Sequence, residues 1–241
     1  MKILLSNDDG YNSEGIGALK KALKTKHDVY VSAPYENMSA SSSSLSVKND
    51  IEVNMIKENE YVIHGTPADS VHIALTTLIK EDIDIVISGI NKGPNLGDDV
   101  IYSGTVAAAI EGRHLKFCPI AISLVGRSYK NFSEAANISL YLLEKILNTN
   151  KILGSSIINI NIPENINKDK VEWEYTRLGK RGLPKSAKLL SAKKNMYNIG
   201  SAGNPEDKDI GTDFYAVRNN KISVTPMSLD LTDYKILDDI K

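Results

Sequence analysis

Short apolar runs rich in β-branched residues alternate along the chain with longer stretches whose apolar positions recur every three or four residues. Residues 3–5, 29–32, 83–87, 120–124 and 156–162 read as strands. The unbroken apolar run at 83–87 is of the kind a parallel strand needs when it is covered on both faces. Residues 13–24, with Ile16, Leu19 and Leu23 on one face, read as a helix, as do 102–115 and 134–147. This alternation predicts an α/β class: a mostly parallel sheet with helices on both faces.

After Pro163 the texture changes. Residues 164–213 are polar, with Gly, Pro and Asn scattered through them. A hairpin is expected from 214–217 and 222–225 across Arg218-Asn219-Asn220-Lys221. A terminal helix is expected with Thr232 as N-cap and Tyr234, Leu237 and Ile240 at helical spacing. The organisation expected is a core at 1–163 and a C-terminal arm at 164–241, too poor in core-forming residues to be an independent domain.

Composition narrows the function. Over 241 residues, 29 Lys+Arg face 30 Asp+Glu, so the formal net charge is −1 and a general nucleic-acid or membrane-surface binder loses its simplest support. Cys118 is the only cysteine, which excludes an intrachain disulfide and a cysteine zinc cage. No apolar run approaches the ~18 residues of a membrane span. The three apolar residues before Ser6 are too short for a secretory core, so a cytoplasmic location is expected.

Four segments can carry chemistry. Asn7-Asp8-Asp9-Gly10 follows the first strand, where open α/β sheets bind ligands. Adjacent carboxylates converge on one ion only once the strand has given way to a loop, although Asp-Gly also makes an ordinary turn. Ser39-Ala40-Ser41-Ser42-Ser43-Ser44, after the second strand, offers hydroxyls to a hard cation or a phosphate, or is a flexible linker. His64-Gly65-Thr66-Pro67-Ala68-Asp69 reads mainly as a helix start, with Thr66 as cap and Asp69 at the third position. No paired-His spacing makes His64 or His72 a ligand. Residues 88–105 leave a buried strand as a Gly-rich loop and enter a helix at Ser103-Gly104-Thr105, where N–H groups and two hydroxyls suit an anion. Their glycines match neither the Walker nor the dinucleotide fingerprint.

All these donors are oxygens or amides. They suit Mg²⁺ or Mn²⁺ rather than zinc or iron, and a hard cation facing a phosphate suggests phosphate-ester hydrolysis.

Residues 2–10, Ala33-Pro34 with Ser39-Ala40-Ser41, residues 64–69, Ser88-Gly89-Ile90-Asn91 and residues 102–109 together resemble the SurE (survival protein E) nucleotidase family. Thr176-Arg177-Leu178-Gly179, Gly211-Thr212-Asp213 and Ser223-Val224-Thr225-Pro226 continue the likeness, which is weakest over 180–200. The resemblance implies a Rossmann-like, doubly wound core with a C-terminal β-hairpin and helix arm exchanged between the subunits of a homodimer or homotetramer. It implies a nucleotidase acting on nucleoside 5′- and 3′-monophosphates, with one divalent metal, Mg or Mn, per subunit. By position, the metal ligands would be Asp8, Asp9, Ser39 and Asn91. Asp8 and Asp9 would also be catalytic, and Asn95, Ser103, Gly104 and Thr105 would hold phosphate.

Between Thr176 and Pro205 stand Arg177, Lys180, Arg181, Lys185, Lys188, Lys193 and Lys194, and no acid. This is either a solvated arm or a device that steers anions, polyphosphate included, toward the metal rim. The principal rival is a Mg²⁺-binding receiver-like signalling module, which also opens with a strand and paired acids. It needs a phospho-accepting Asp and a later Lys that are not found in context. An aspartyl-phosphate phosphatase spaces its two acids differently from the adjacent Asp8 and Asp9.

Overall fold

The strands of the sheet sort their side chains strictly by face. In β1 (Lys2–Ser6), Ile3 and Leu5 join one apolar layer and Leu4 the other. In β2 (Asp28–Pro34), Val29, Val31 and Ala33 face the first layer and Tyr30 the second. β3 (Val53–Lys57) and β4 (Glu60–Ile63) form an edge hairpin. β5 (Ile85–Lys92), β6 (Ile120–Val125) and β7 (Ser156–Pro163) repeat the alternation. Ile85, Ile87, Ile120, Ile122, Ile158 and Ile160 lie on the first face; Val86, Ala121 and Ile157 lie on the other. The structure is a computed structural model that describes residues 1–147, 156–166, 170–200 and 202–240.

Helices cover both faces. α1 (Glu14–Leu23) supplies Ile16, Leu19 and Leu23 to the first layer. α2 (Pro67–Ile73) and α3 (Gly104–Ile110) lie on the opposite face, and α4 (Phe132–Leu147) packs beside α1. α2 begins as its residues predict: Thr66 Oγ1 accepts the Asp69 N–H at 3.0 Å, and Asp69 Oδ2 accepts the Thr66 N–H at 2.9 Å.

The remaining elements are β8 (Trp173–Tyr175), β9 (Lys180–Arg181), β10 (Lys188–Ser191), β11 (Met196–Asn198), β12 (Pro205–Asp207), α5 (Asp213–Arg218), β13 (Ile222–Ser228) and α6 (Tyr234–Asp239). The nine-stranded sheet runs β3-β4-β2-β1-β5-β6-β7-β13-β8. β4, β2, β1, β5, β6 and β7 are parallel, and β13 is antiparallel to β7. The chain leaves β1 toward β2 and β4, then returns to β5 on the other side. Connections therefore diverge outside the carboxyl ends of β1 and β5, and a crevice opens there.

Four expectations are corrected. The strand expected at 83–87 begins at Ile85 and continues through Ser88-Gly89-Ile90-Asn91 to Lys92, so that part of the expected loop is ladder, with a register shift between Ser88 and Asn91. The helix expected at 102–115 is confined to Gly104–Ile110, because Ser103 is its N-cap and the chain leaves the helix at Glu111. Residues 214–217 are helical rather than half of a hairpin. Thr212 Oγ1 caps α5 by accepting the Tyr215 N–H at 3.1 Å, and β13 pairs instead with β7. The main sheet consequently crosses residue 163, since β13 and β8 extend it. The terminal helix forms, with Asp233 rather than Thr232 as its cap. No helix among the described residues is long and apolar enough to cross a membrane.

Candidate active site

The turn after β1 is built from inside. Asn7 is fully buried, and its Nδ2 donates to the Gly10 carbonyl at 2.9 Å and to Ser13 Oγ at 2.8 Å. Gly10 sits at φ +95°, against the Glu36 backbone, a conformation that disfavours a side chain. The Met38 N–H donates to the Asp8 carbonyl at 2.7 Å and the Tyr11 N–H to the Pro34 carbonyl at 2.8 Å. The loop leaving β2 is thereby tied to the acidic pair.

The two carboxylates then part toward different anchors. Asp8 is buried, and its Oδ1 accepts the Thr105 hydroxyl proton at 2.5 Å. Asp9 Oδ2 accepts the Lys92 N–H at 2.8 Å. Burial pushes the Asp8 carboxyl up from 3.8 to about 6; the Asp9 charge adds to this and the Thr105 hydroxyl opposes it. Burial raises Asp9 as well, against the Lys92 N–H and ammonium.

Gly104 explains how α3 comes so close to Asp8. A Cβ there would lie 2.7 Å from Asp8 Cβ and 2.9 Å from Ser41 Oγ. Ser103 Oγ accepts the Val106 N–H at 3.1 Å. The Gly104 and Thr105 N–H groups open the helix, where no carbonyl of a preceding turn exists to receive them. Thr105 presents its N–H to this tip, while its hydroxyl is committed to Asp8.

At the end of β5, Asn91 is buried and its Nδ2 donates to the Gly93 carbonyl at 3.0 Å, which leaves its Oδ1 for another partner. Asn95 is held by residues of β6 and β7. Its N–H donates to Asn161 Oδ1 at 2.9 Å and its Nδ2 to Ser123 Oγ at 2.8 Å. Its carbonyl accepts from Asn159 and Asn161 at 2.8 and 2.9 Å. Ser39 is exposed, its N–H donating to Asn37 Oδ1 at 2.9 Å, whereas the buried Ser41 hydroxyl has no partner among the described residues. His64 stacks on Tyr35 and His72 faces Glu111, both exposed and outside this group.

The donor set fits a divalent hard cation. Two adjacent carboxylates are both raised by burial, the orphaned Ser41 hydroxyl lies with Asp8 around Gly104, and Asn91 near the end of the neighbouring strand has its amide oxygen uncommitted. Among the described residues, no group of three His, Cys, Asp or Glu forms a rival centre. Asp8, Asp9, Asn91, Ser103, Gly104 and Thr105 lie on elements that meet at the β1/β5 crevice, whereas Ser39 is exposed on the loop after β2 and Asn95 is tied to β6 and β7. Sequence reasoning missed Ser41 as the buried hydroxyl of its loop, and missed Ser123, Asn159 and Asn161. The signal for the last two was two asparagines on one face of a strand otherwise apolar, Ile157 to Ile162.

A family model described as survival protein SurE matches residues 3–185. A 5′-nucleotidase SurE of Vesicomyosocius okutanii subsp. Calyptogena okutanii is 44% identical over 234 residues, covering 97% of this chain and 94% of that protein. The 5′-nucleotidase SurE of Mannheimia succiniciproducens is 45% identical over 239 residues, with 97% and 95% covered. The crystal structure of the SurE protein from Aquifex aeolicus matches with a TM-score of 0.87 and 39% identity, covering 100% of this chain and 98% of that one.

Proposed function

The chain belongs to the survival protein SurE family, and from that premise we propose that it hydrolyses nucleoside 5′-monophosphates to nucleoside and inorganic phosphate. The observation that carries this reading is the buried Asp8, set against the tip of α3 at the sheet's crevice, with the half-buried Asp9 beside it. A receiver-like role lacks support: no aspartate ends β5, β6 or β7 to accept a phosphoryl group.

Asp8, Asp9, Asn91 and Ser39 would hold one Mg²⁺ or Mn²⁺ per subunit, with the Ser41 hydroxyl beside them. What a bound divalent cation supplies is positive charge against the phosphoryl oxygens and a more acidic water. The chain's residues do the placing. The Gly104 and Thr105 N–H groups and the Ser103 hydroxyl face the phosphate oxygens, where they oppose charge that grows in the transition state. The amide of Asn95, immobilised by Asn161 and Ser123, contacts the same group. Thr105 fixes the Asp8 carboxylate and the Lys92 N–H fixes Asp9, so both acids stay oriented while a water oxygen attacks phosphorus. The ester P–O bond breaks, and the water's proton ends on the leaving nucleoside oxygen.

The wider reading includes 3′-monophosphates, polyphosphate drawn by the exposed Lys185, Lys188, Lys193 and Lys194, a cytoplasmic location and no stable nucleic-acid complex. It also makes residues 164–241 an arm exchanged within a homodimer or homotetramer. Support for that assembly is apolar surface without a partner in one chain: Leu183 is 92% and Ile199 89% exposed, and α6 buries no residue. The test of the activity is phosphate release from a panel of nucleoside monophosphates, with chelator and after Mn²⁺ or Mg²⁺ is returned. Release that persists in chelator refutes the metal role, and no release from any nucleotide refutes the nucleotidase reading.

A further inference from the structure

A cavity of about 510 Å³ is lined by Asp9, and its wall includes Glu14, Lys92, Ser128, Tyr129 and Lys130. That volume suits a small ligand. Asp9 belongs both to the acidic pair and to this wall, so the cavity adjoins the site at which the ester would react.

The outer wall is a loop in an unusual conformation, pinned by one carboxylate. Tyr129 lies at φ +50°, in the left-handed region that a bulky side chain rarely adopts. Glu164, directly after β7, accepts four bonds from this loop. Its Oε2 receives the Arg127 and Ser128 N–H groups at 3.0 and 3.1 Å. Its Oε1 receives the Ser128 hydroxyl at 2.5 Å and the Lys130 N–H at 3.0 Å. Asn131 Nδ2 adds a bond to the Glu164 carbonyl at 3.1 Å. Those bonds, the Ser128 hydroxyl first, draw the Glu164 carboxyl down to about 2, so the clamp stays ionised at any working pH.

The clamp aims Tyr129 inward. Its hydroxyl lies 3.9 Å from where a Cβ on Gly93 would stand, beside the Asn91 amide, and has no hydrogen-bond partner among the described residues. Burial, then the charges of Glu164 and Asp9, raise its pKa, so it remains a neutral donor. The Lys92 ammonium sits over the same ring, 5.6 Å from its centre, and competes with a flat base for that face. The Tyr129 hydroxyl and the Lys92 ammonium, with the Asp9 and Glu14 carboxylates in the same lining, suit a polyol that both accepts and donates hydrogen bonds better than an aromatic ring.

We propose that this cavity is the subsite for the sugar half of the nucleotide, and that Glu164 is the positioning residue that holds its Tyr129 wall in place. The inference rests on the nucleotidase reading above. It is tested with kcat and KM for a nucleoside 5′-monophosphate and for ethyl phosphate, which carries the ester but no sugar, in the full chain with Mn²⁺. Tyr129→Phe removes one neutral donor and should lower the ratio of kcat/KM for nucleotide over ethyl phosphate about threefold to tenfold, mainly through nucleotide KM. Glu164→Gln should lower that ratio at least as far, and adding Tyr129→Phe to it should cost little more, because Glu164 acts through the tyrosine.

The subsite is overturned if Tyr129→Phe leaves the ratio unchanged, or if the wild type turns over ethyl phosphate as efficiently as the nucleotide. The positioning role is overturned if Glu164→Gln slows both substrates equally. Should Glu164→Gln fail to fold, the Tyr129→Phe ratio decides the subsite alone. A wild type that releases phosphate from ethyl phosphate but from no nucleotide refutes the nucleotidase reading instead.

Discussion

Asp8→Asn should make the metal-free protein more stable while abolishing its turnover. Asn has the shape of Asp and keeps an oxygen to accept the Thr105 hydroxyl proton, so the packing around α3 survives. What disappears is a buried negative charge. Folding carries the Asp8 carboxyl from 3.8 to about 6. Below pH 3.8 it is protonated in both states and costs nothing. As pH rises toward 6 the unfolded chain ionises it more readily than the folded one, so the fold loses stability, and above 6 the loss is complete. At about 1.4 kcal/mol per pH unit the full cost is about 3 kcal/mol, and about half of that is already present at pH 5.

The assay is urea unfolding in chelator, wild type against variant, at pH 5 and pH 8. Taking the difference between the two proteins cancels the other carboxylates, including Glu60 and Glu164, both drawn down to about 2. The variant's advantage should roughly double, from about half of the full cost at pH 5 to about 3 kcal/mol at pH 8. In thermal melts at pH 8, about 3 kcal/mol corresponds to about 6–12 °C for a chain of this size. Mn²⁺ should restore stability to the wild type alone, since a ligand stabilises only the fold that binds it. An advantage that does not vary with pH, or a variant less stable than the wild type in chelator at pH 8, would refute the argument that burial of this charge drives cation binding.

Two further outcomes follow from the packing. Gly104→Ala places a Cβ 2.7 Å from Asp8 Cβ, so the acid or the helix tip must shift. Steady-state kinetics should show kcat reduced about a hundredfold, the scale expected when a reacting group moves by about 1 Å, while the circular dichroism spectrum stays native. A chain ended after Asp230 loses α6, whose residues are all outside the core. Sedimentation should show it dissociating at concentrations where the full chain is assembled, with turnover per subunit less affected than assembly.

Much of this site was legible because its parts announce themselves locally. Asp8-Asp9-Gly10 after an apolar strand, Thr66-Pro67-Ala68-Asp69 at a helix start and Ser103-Gly104-Thr105 at another are short-range patterns of turn and cap chemistry, and each forms where it was expected. Residues 214–217 were misread for a related reason. Phe, Tyr and Val favour strands, but the Thr212 cap and the burial of Phe214 in place made that segment a helix. Ser41 was indistinguishable from its neighbours in a serine run, because burial beside Gly104 is not a property of the run.

By itself the sequence determined the period of most elements of the core, the α/β class, the oxygen-rich character of the donors and the caps at Thr66 and Ser103. All of these depend on residues within a few positions of one another. Tertiary structure decided which of them meet. Thr105 reaches Asp8 across 97 positions, Lys92 reaches Asp9 across 83, and Asn161 reaches Asn95 across 66. Each contact exists because strand order sets β5 beside β1 and β7 two strands beyond it. Local spacing carries no information on strand order, which follows from the burial of both faces of the sheet at once.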